Sequence, residues 1–225
     1  MMDRRRLSAG DVLGAVTGAM MAVSLYVVFL VVPAEATMGD VQRIFYFHVS
    51  ASWTGYLALL VTLVSSVLYL RFRELRWDAL ALSSAEIGLV FITLGIVTGS
   101  IWARPTWGTW WTWDPRLTTS AVLWLVYLSY MILRMAMEER ERRARVASVY
   151  SIVAFVAVPV NFMAIRWWRV AHPLILNSSG FQLSPSMLRT MFLWLLTFTL
   201  LYATLLYHRL RLETLRESVE QLKAR

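Results

Sequence analysis

The stretch WGTWWTWDPRLT, residues 107–118, sets Trp107, Trp110, Trp111 and Trp113 directly ahead of Asp114 and Pro115. Indole rings are flat and largely apolar with one N–H donor each, so a row of them can receive a large planar ligand. Imidazole is the other group with coordinating power. The chain has three histidines, His48, His172 and His208, and no cysteine. The lack of cysteine removes disulfides, thiolate metal sites and thiol redox chemistry together. Arg104 and Arg116 flank the tryptophans, and a guanidinium fork pairs well with carboxylates.

The elements that must position these groups follow from composition. The chain has 225 residues, 58% of them hydrophobic and 16% charged, with mean hydropathy +0.57. A soluble domain carries about 25% charged residues. Here the apolar residues come in long blocks, so a membrane protein is the first reading and nucleic acid is not the explanation of the +8 net charge. Runs long enough to cross a bilayer cover 12–32, 49–70, 80–102, 118–137, 146–165 and 188–207. In lipid such runs must satisfy their own backbone hydrogen bonds, as helices do. The expected fold is all-α: one domain, 1–225, forming an integral membrane bundle of six transmembrane helices. It would carry an external Trp-rich segment at 104–117 and a cytoplasmic tail at 210–225.

Basic residues orient the bundle. They concentrate at Arg4–Arg6, in the loops after the second and fourth runs, and in the tail. The other side holds Arg43, Arg104, Arg116, Arg166, Arg169 and Arg189. Both termini are therefore expected in the cytoplasm, with most of the positive charge reflecting insertion. Arg4–Arg6, an apolar run and Ala34-Glu35-Ala36 also resemble a secretory signal, but the run of about 21 residues exceeds the usual signal core of 7–15. Cleavage there would leave the later loops on the same sides.

With that orientation the segments 33–48, 103–117 and 166–187 face outward. Taken alone, His48 is a polar residue at a helix mouth bonded to a carbonyl, and His172 is a loop residue held extended by Pro173. Together they lie on one face with the tryptophan row. His208, beside Arg209, reads as a surface residue at a helix end. A short helix over 105–114, started by Pro105 and ended by Pro115, would align Trp107, Trp110, Trp111 and Asp114 on one face. Gly108, Thr109 and Thr112 would lie opposite and Trp113 at the flank. Such a helix would lie along the membrane surface. An interfacial aromatic belt accounts for Trp53, Trp102 and Trp194, and less well for a dense row beside three charges. Haem meets all the demands at once: two faces, two axial iron positions and two propionates. Zinc is served less well by two histidines without a thiolate. Asp114 either orients an arginine or the motif backbone, or caps local amides.

The segment TGSIWARPTWGTWWTWDPRLT, residues 98–118, resembles the tryptophan-rich WWD signature of haem-handling membrane proteins. IFYFHVSASW around His48, RWWRVAHP around His172 and the six-span layout extend the resemblance to nearly the whole chain, and the pattern is that of the CcmC family of cytochrome c maturation. The resemblance implies haem b, with His48 and His172 as axial iron ligands from opposite faces. It implies a cofactor-binding platform of Trp107, Gly108, Trp110, Trp111, Trp113 and Asp114, with Arg104 and Arg116 beside it. Arg43, Arg166 and Arg169 are further candidates for propionate pairing. It implies handover of haem to the chaperone CcmE, and work alongside the ABC transporter subunits CcmA and CcmB and the small protein CcmD. The location implied is the cytoplasmic (inner) membrane, with the haem site on the outer, periplasmic face. Pro115 departs from the small residue many relatives carry there, which stiffens the exit from the motif.

Two strong-field imidazoles would leave iron no open position, so the expectation is a haem-binding transfer protein and not a classical enzyme. Three alternatives remain: a b-type cytochrome passing electrons to or from quinone, a transporter using the intramembrane Glu86, and a synthase-type relative attaching haem to cytochrome c. The last are longer, with more spans and extra histidines.

Overall fold

The computed structural model describes residues 8–170 and 172–223. Six helical stretches in it are long and apolar enough to cross a bilayer, each overlapping one of the six runs, and together they form an integral membrane bundle. Helix α1 (Ala9–Tyr26) starts in a capping box: Ser8 accepts from the Asp11 amide while the Asp11 carboxylate accepts from the Ser8 amide. It continues as a π turn, Val27–Val31. Such a turn disturbs the carbonyl ladder, and the Arg43 guanidinium donates to Val28 O beside it. Helix α2 (Arg43–Phe72) follows a 3-10 turn and is joined to α3 (Leu75–Trp107) by a tight turn at Arg73.

Helix α4 is Pro115–Met135, while α5 (Arg140–Ala154) and α6 (Ala157–Trp167) share one span. Pro159 accounts for the break: it has no N–H and its ring crowds the carbonyl four residues back, Phe155. A small hairpin, β1 (Leu176–Asn177) and β2 (Gly180–Phe181), precedes α7 (Pro185–Lys223).

Small residues let the helices approach closely. In the most extensive interface, α2 on α3, a Cβ on Gly55 would lie 2.7 Å from Ile92 Cδ1, and one on Gly88 would lie 3.1 Å from Ala58 Cβ. Buried hydroxyls pair across helices, Ser24 with Thr197 at 2.8 Å and Ser84 with Tyr202 at 2.7 Å.

Two expectations need correction. There is no separate helix over 105–114. The helix that begins at Leu75 runs through Pro105 to Trp107, and Gly108, at φ +76, closes it by returning its N–H to Arg104 O. Residues 108–114 are non-helical, and Pro115 begins α4 instead of ending a preceding helix. The segment ahead of the second span, expected over 33–48, is also shorter than expected, because α2 starts at Arg43 and takes His48 into its second turn. Residues 210–223, read in the sequence as a tail, continue α7 without a break.

Candidate functional site

His48, the end of α3, the start of α4, the end of α6 and His172 meet at one end of the bundle. His48 Nδ1 lies 2.8 Å from Gly95 O. A carbonyl only accepts, so Nδ1 carries the hydrogen and the Nε2 lone pair is left free for a ligand. Gly99, one turn on, allows this approach: a Cβ there would lie 2.8 Å from His48 Cε1 and 3.0 Å from Nδ1. Gly99→Val is therefore expected to push the ring off Gly95 O. Loss of such an orienting bond typically weakens metal binding about 10–100-fold. A haem titration of the purified variant checks this, and unchanged affinity would show that the ring tolerates displacement.

His172 follows α6, and its ring centre lies 6.1 Å from that of His48, with the planes tilted by 41°. Two imidazoles holding one metal at about 2 Å through their nitrogens have ring centres roughly 6 Å apart. Desolvation in the cleft, helped by the Arg116 charge and then by the neighbouring His48, pushes the His172 imidazole down to about 4. It is thus neutral near pH 7, the form that ligates metal. Its Nδ1 faces Pro173 O at 3.2 Å, again leaving Nε2 available.

Two chambers flank the pair and share His48, Ser52, Tyr56, Arg116 and His172. One, of roughly 610 Å3, lies toward α3 and α4 and is walled by Trp102, Trp107 and Trp111. The other, of roughly 1130 Å3, lies toward α6 and α7. Because both line the same two imidazoles, a disc standing between the rings would extend into both.

The tryptophan row splits. Trp107 and Trp111 face the first chamber, while Trp110 is 56% and Trp113 76% exposed. The indole N–H groups of Trp102 and Trp111 are buried without a partner, an unusual condition that leaves two donors available beside the chamber. Asp114 is the N-cap of α4, accepting from Leu117 N at 3.0 Å and from the Thr112 hydroxyl at 2.9 Å. Of its two expected roles, backbone capping is the one the structure has.

The arginines also separate. Arg116 lines both chambers and donates to the backbone and side-chain oxygens of Asn161. Arg166 is at the rim of the larger chamber. Arg104 bonds Gly108 O on the exposed side, and Arg43 is engaged by Asp40 and Val28 O. Arg169 is exposed and lines neither chamber.

The model of the CcmC family, heme exporter protein C, matches residues 6–225. The chain belongs to that family. Among relatives, it is 34% identical over 213 residues to the heme exporter protein C of Bradyrhizobium diazoefficiens, covering 94% of this chain and 81% of that one. It is 34% identical over 188 residues to the heme exporter protein C of Escherichia coli K12, 80% and 73% of the two chains. A putative cytochrome c biosynthesis ccmC-like mitochondrial protein of Marchantia polymorpha is 32% identical over 173 residues, 76% and 73%.

Two residues of the candidate site, Trp102 and Asn161, are not singled out by the sequence. Trp102, assigned there to an aromatic belt, lines the smaller chamber. Asn161, fully buried in α6, accepts from Tyr56 and Arg116 and donates to Thr119 and Ser120 Oγ at 2.9 Å each. It thereby fixes Arg116 at the chamber wall. A polar amide inside an apolar span was the available signal, since such residues concentrate at functional positions in membranes. Glu86 is paired to Arg209 at 2.7 Å, and His208 packs on Tyr207 at the far end of the bundle. Among the described residues, no three His, Asp or Glu side chains cluster as a bare-metal site.

Proposed function

We propose that this multi-pass membrane protein handles haem in cytochrome c maturation, gripping it between His48 and His172 and presenting it to the chaperone CcmE. The single observation that carries the reading is the 6.1 Å spacing of the two imidazoles, which line two chambers, one of them walled by indoles. Haem is here cargo. Bound as haem b, it would supply an iron that takes both Nε2 lone pairs and propionates that take guanidinium. Arg116, with Arg166 at the rim, is the pairing partner that the chamber geometry favours, and the free indole N–H groups of Trp102 and Trp111 offer further donors.

The site end is assigned to the outer face of the cytoplasmic membrane, since the opposite end carries the loops and tail rich in arginine. CcmA, CcmB and CcmD are the expected companions in the membrane. Purified protein reconstituted with haem should show a six-coordinate, low-spin bis-imidazole spectrum; a five-coordinate or absent haem band would overturn the reading.

Exposure divides the platform into holding and presenting parts. Trp111→Ala is expected to loosen haem in the purified protein. The double variant Trp110→Ala/Trp113→Ala is expected to retain haem but load CcmE more slowly by about tenfold, the scale of losing a central aromatic contact. Covalent haem on CcmE, set against protein accumulation, is the readout. Normal loading by the double variant would remove the presenting role.

A further inference from the structure

We propose that haem reaches the histidine pair sideways from the bilayer, through a gap between α6 and α7. The inference rests on the haem-holding reading above and adds the route. Helix α6 packs on α4, whereas α7 packs on α1, α2 and α3, and the two share almost no contacts. The space left between them is the larger chamber. Its floor is Trp53 and Tyr56 of α2, and its walls are Phe162 and Ile165 of α6 and Phe192 and Leu195 of α7. The two histidines line the same chamber.

Toward water the chamber is partly covered by the hairpin. Leu176 and Phe181 of the hairpin line the chamber, Phe181 packs edge-on against Phe192 at 5.9 Å, and Arg166 ties the hairpin to α6 through Leu176 O. On the α3 and α4 side the indoles of Trp102, Trp107 and Trp111 form the wall, and those two helices pack on each other. Among the described residues, none is recorded bridging the flank between α6 and α7 in this way. There Trp53 and Phe192 stand about half exposed, within helices long and apolar enough to cross a bilayer.

The chemistry of the route matches an amphipathic disc. Haem in a bilayer keeps its ring among the acyl chains and its two carboxylates near the headgroups. Here the gap offers aromatic and aliphatic walls to the ring, while Arg166 stands at the rim and Arg116 deeper, beside both histidines. A carboxylate can pass from headgroup to Arg166 to Arg116 without being stranded unpaired in the apolar wall, the costly alternative.

The test mixes proteoliposomes holding the full chain with haem-loaded vesicles of the same lipid and follows the bis-imidazole band. Ile165→Trp, which narrows the gap, is expected to slow uptake by about tenfold or more, read as the rate at which the band grows to that variant's own plateau. Phe192→Ala, which widens it, is expected to speed uptake by about twofold or more. An Ile165→Trp protein that reaches its plateau at the wild-type rate overturns the route. If that variant takes up no haem at all, Phe192→Ala decides alone: faster uptake supports the gap and an unchanged rate overturns it. Wild-type protein that never develops the band defeats the haem reading itself, whereas wild-type uptake that ignores both substitutions defeats only the lateral path.

Discussion

His48→Ala and His172→Ala are each expected to abolish the six-coordinate haem spectrum. Removing a group that merely orients a ligand costs about 10–100-fold in metal affinity, so removing the ligand itself should cost more. The two variants should differ in one respect. His48 stands within α2, pressed against Gly95 and Gly99 of α3, so its deletion leaves a hole closed on one side by helix backbone. His172 follows the end of α6 and is reached from the chamber facing the hairpin. Free imidazole added to the His172 variant should restore the low-spin band at lower concentration than in the His48 variant. Optical titration in detergent measures both effects. Wild-type spectra in the two variants would remove the ligand assignment, and equal rescue would remove the claimed asymmetry of access.

The histidines were legible because they are scarce: with three in the chain and no cysteine, few positions can coordinate anything. The six spans were legible because hydrocarbon thickness dictates run length. What failed was local. Pro105 reads as a helix start, yet a helix already thirty residues long passes through it, since its fixed φ is helical and neighbouring hydroxyls can compensate the broken ladder. Thr106 donates to Trp102 O at 2.9 Å, the carbonyl beside Ile101 O, which the proline leaves without its ladder partner. Gly108 as a left-handed terminator and Asp114-Pro115 as cap and first turn were both readable signals, and they outweigh the proline. With the helix gone, the shared face of Trp107, Trp110, Trp111 and Asp114 goes too, and the indoles divide into lining and exposed. Gly95 and Gly99 carried no message alone. A small-residue face acquires meaning only once the partner helix, and the His48 ring on it, is in place.

At the opposite end of the bundle, Arg134→Ala and Asp78→Ala are each expected to destabilise the protein by about 3–5 kcal/mol, the range for orphaning one member of a buried ion pair. Arg134 counts in the sequence as one of the basic residues that orient insertion, yet it is buried and forked onto Asp78, Nη1 to Oδ1 at 2.6 Å and Nη2 to Oδ2 at 2.8 Å. The Tyr130 hydroxyl accepts a further bond at 3.2 Å. Asp78 sits in the first turn of α3 and Arg134 in the last turn of α4, so each charge also faces the favourable end of its helix dipole. Arg134→Lys should recover only part of the loss, because a single ammonium cannot reproduce the two-pronged contact. The double variant Asp78→Ala/Arg134→Ala should cost less than the sum of the singles, since neither charge is then left unpaired. Denaturant titrations in micelles give these differences, and single variants within about 0.5 kcal/mol of wild type would mean the pair is not holding α3 to α4. Because the pair lies at the far end from His48 and His172, each variant that still folds should saturate with haem to an unchanged spectrum, which separates what keeps the bundle together from what grips the cargo.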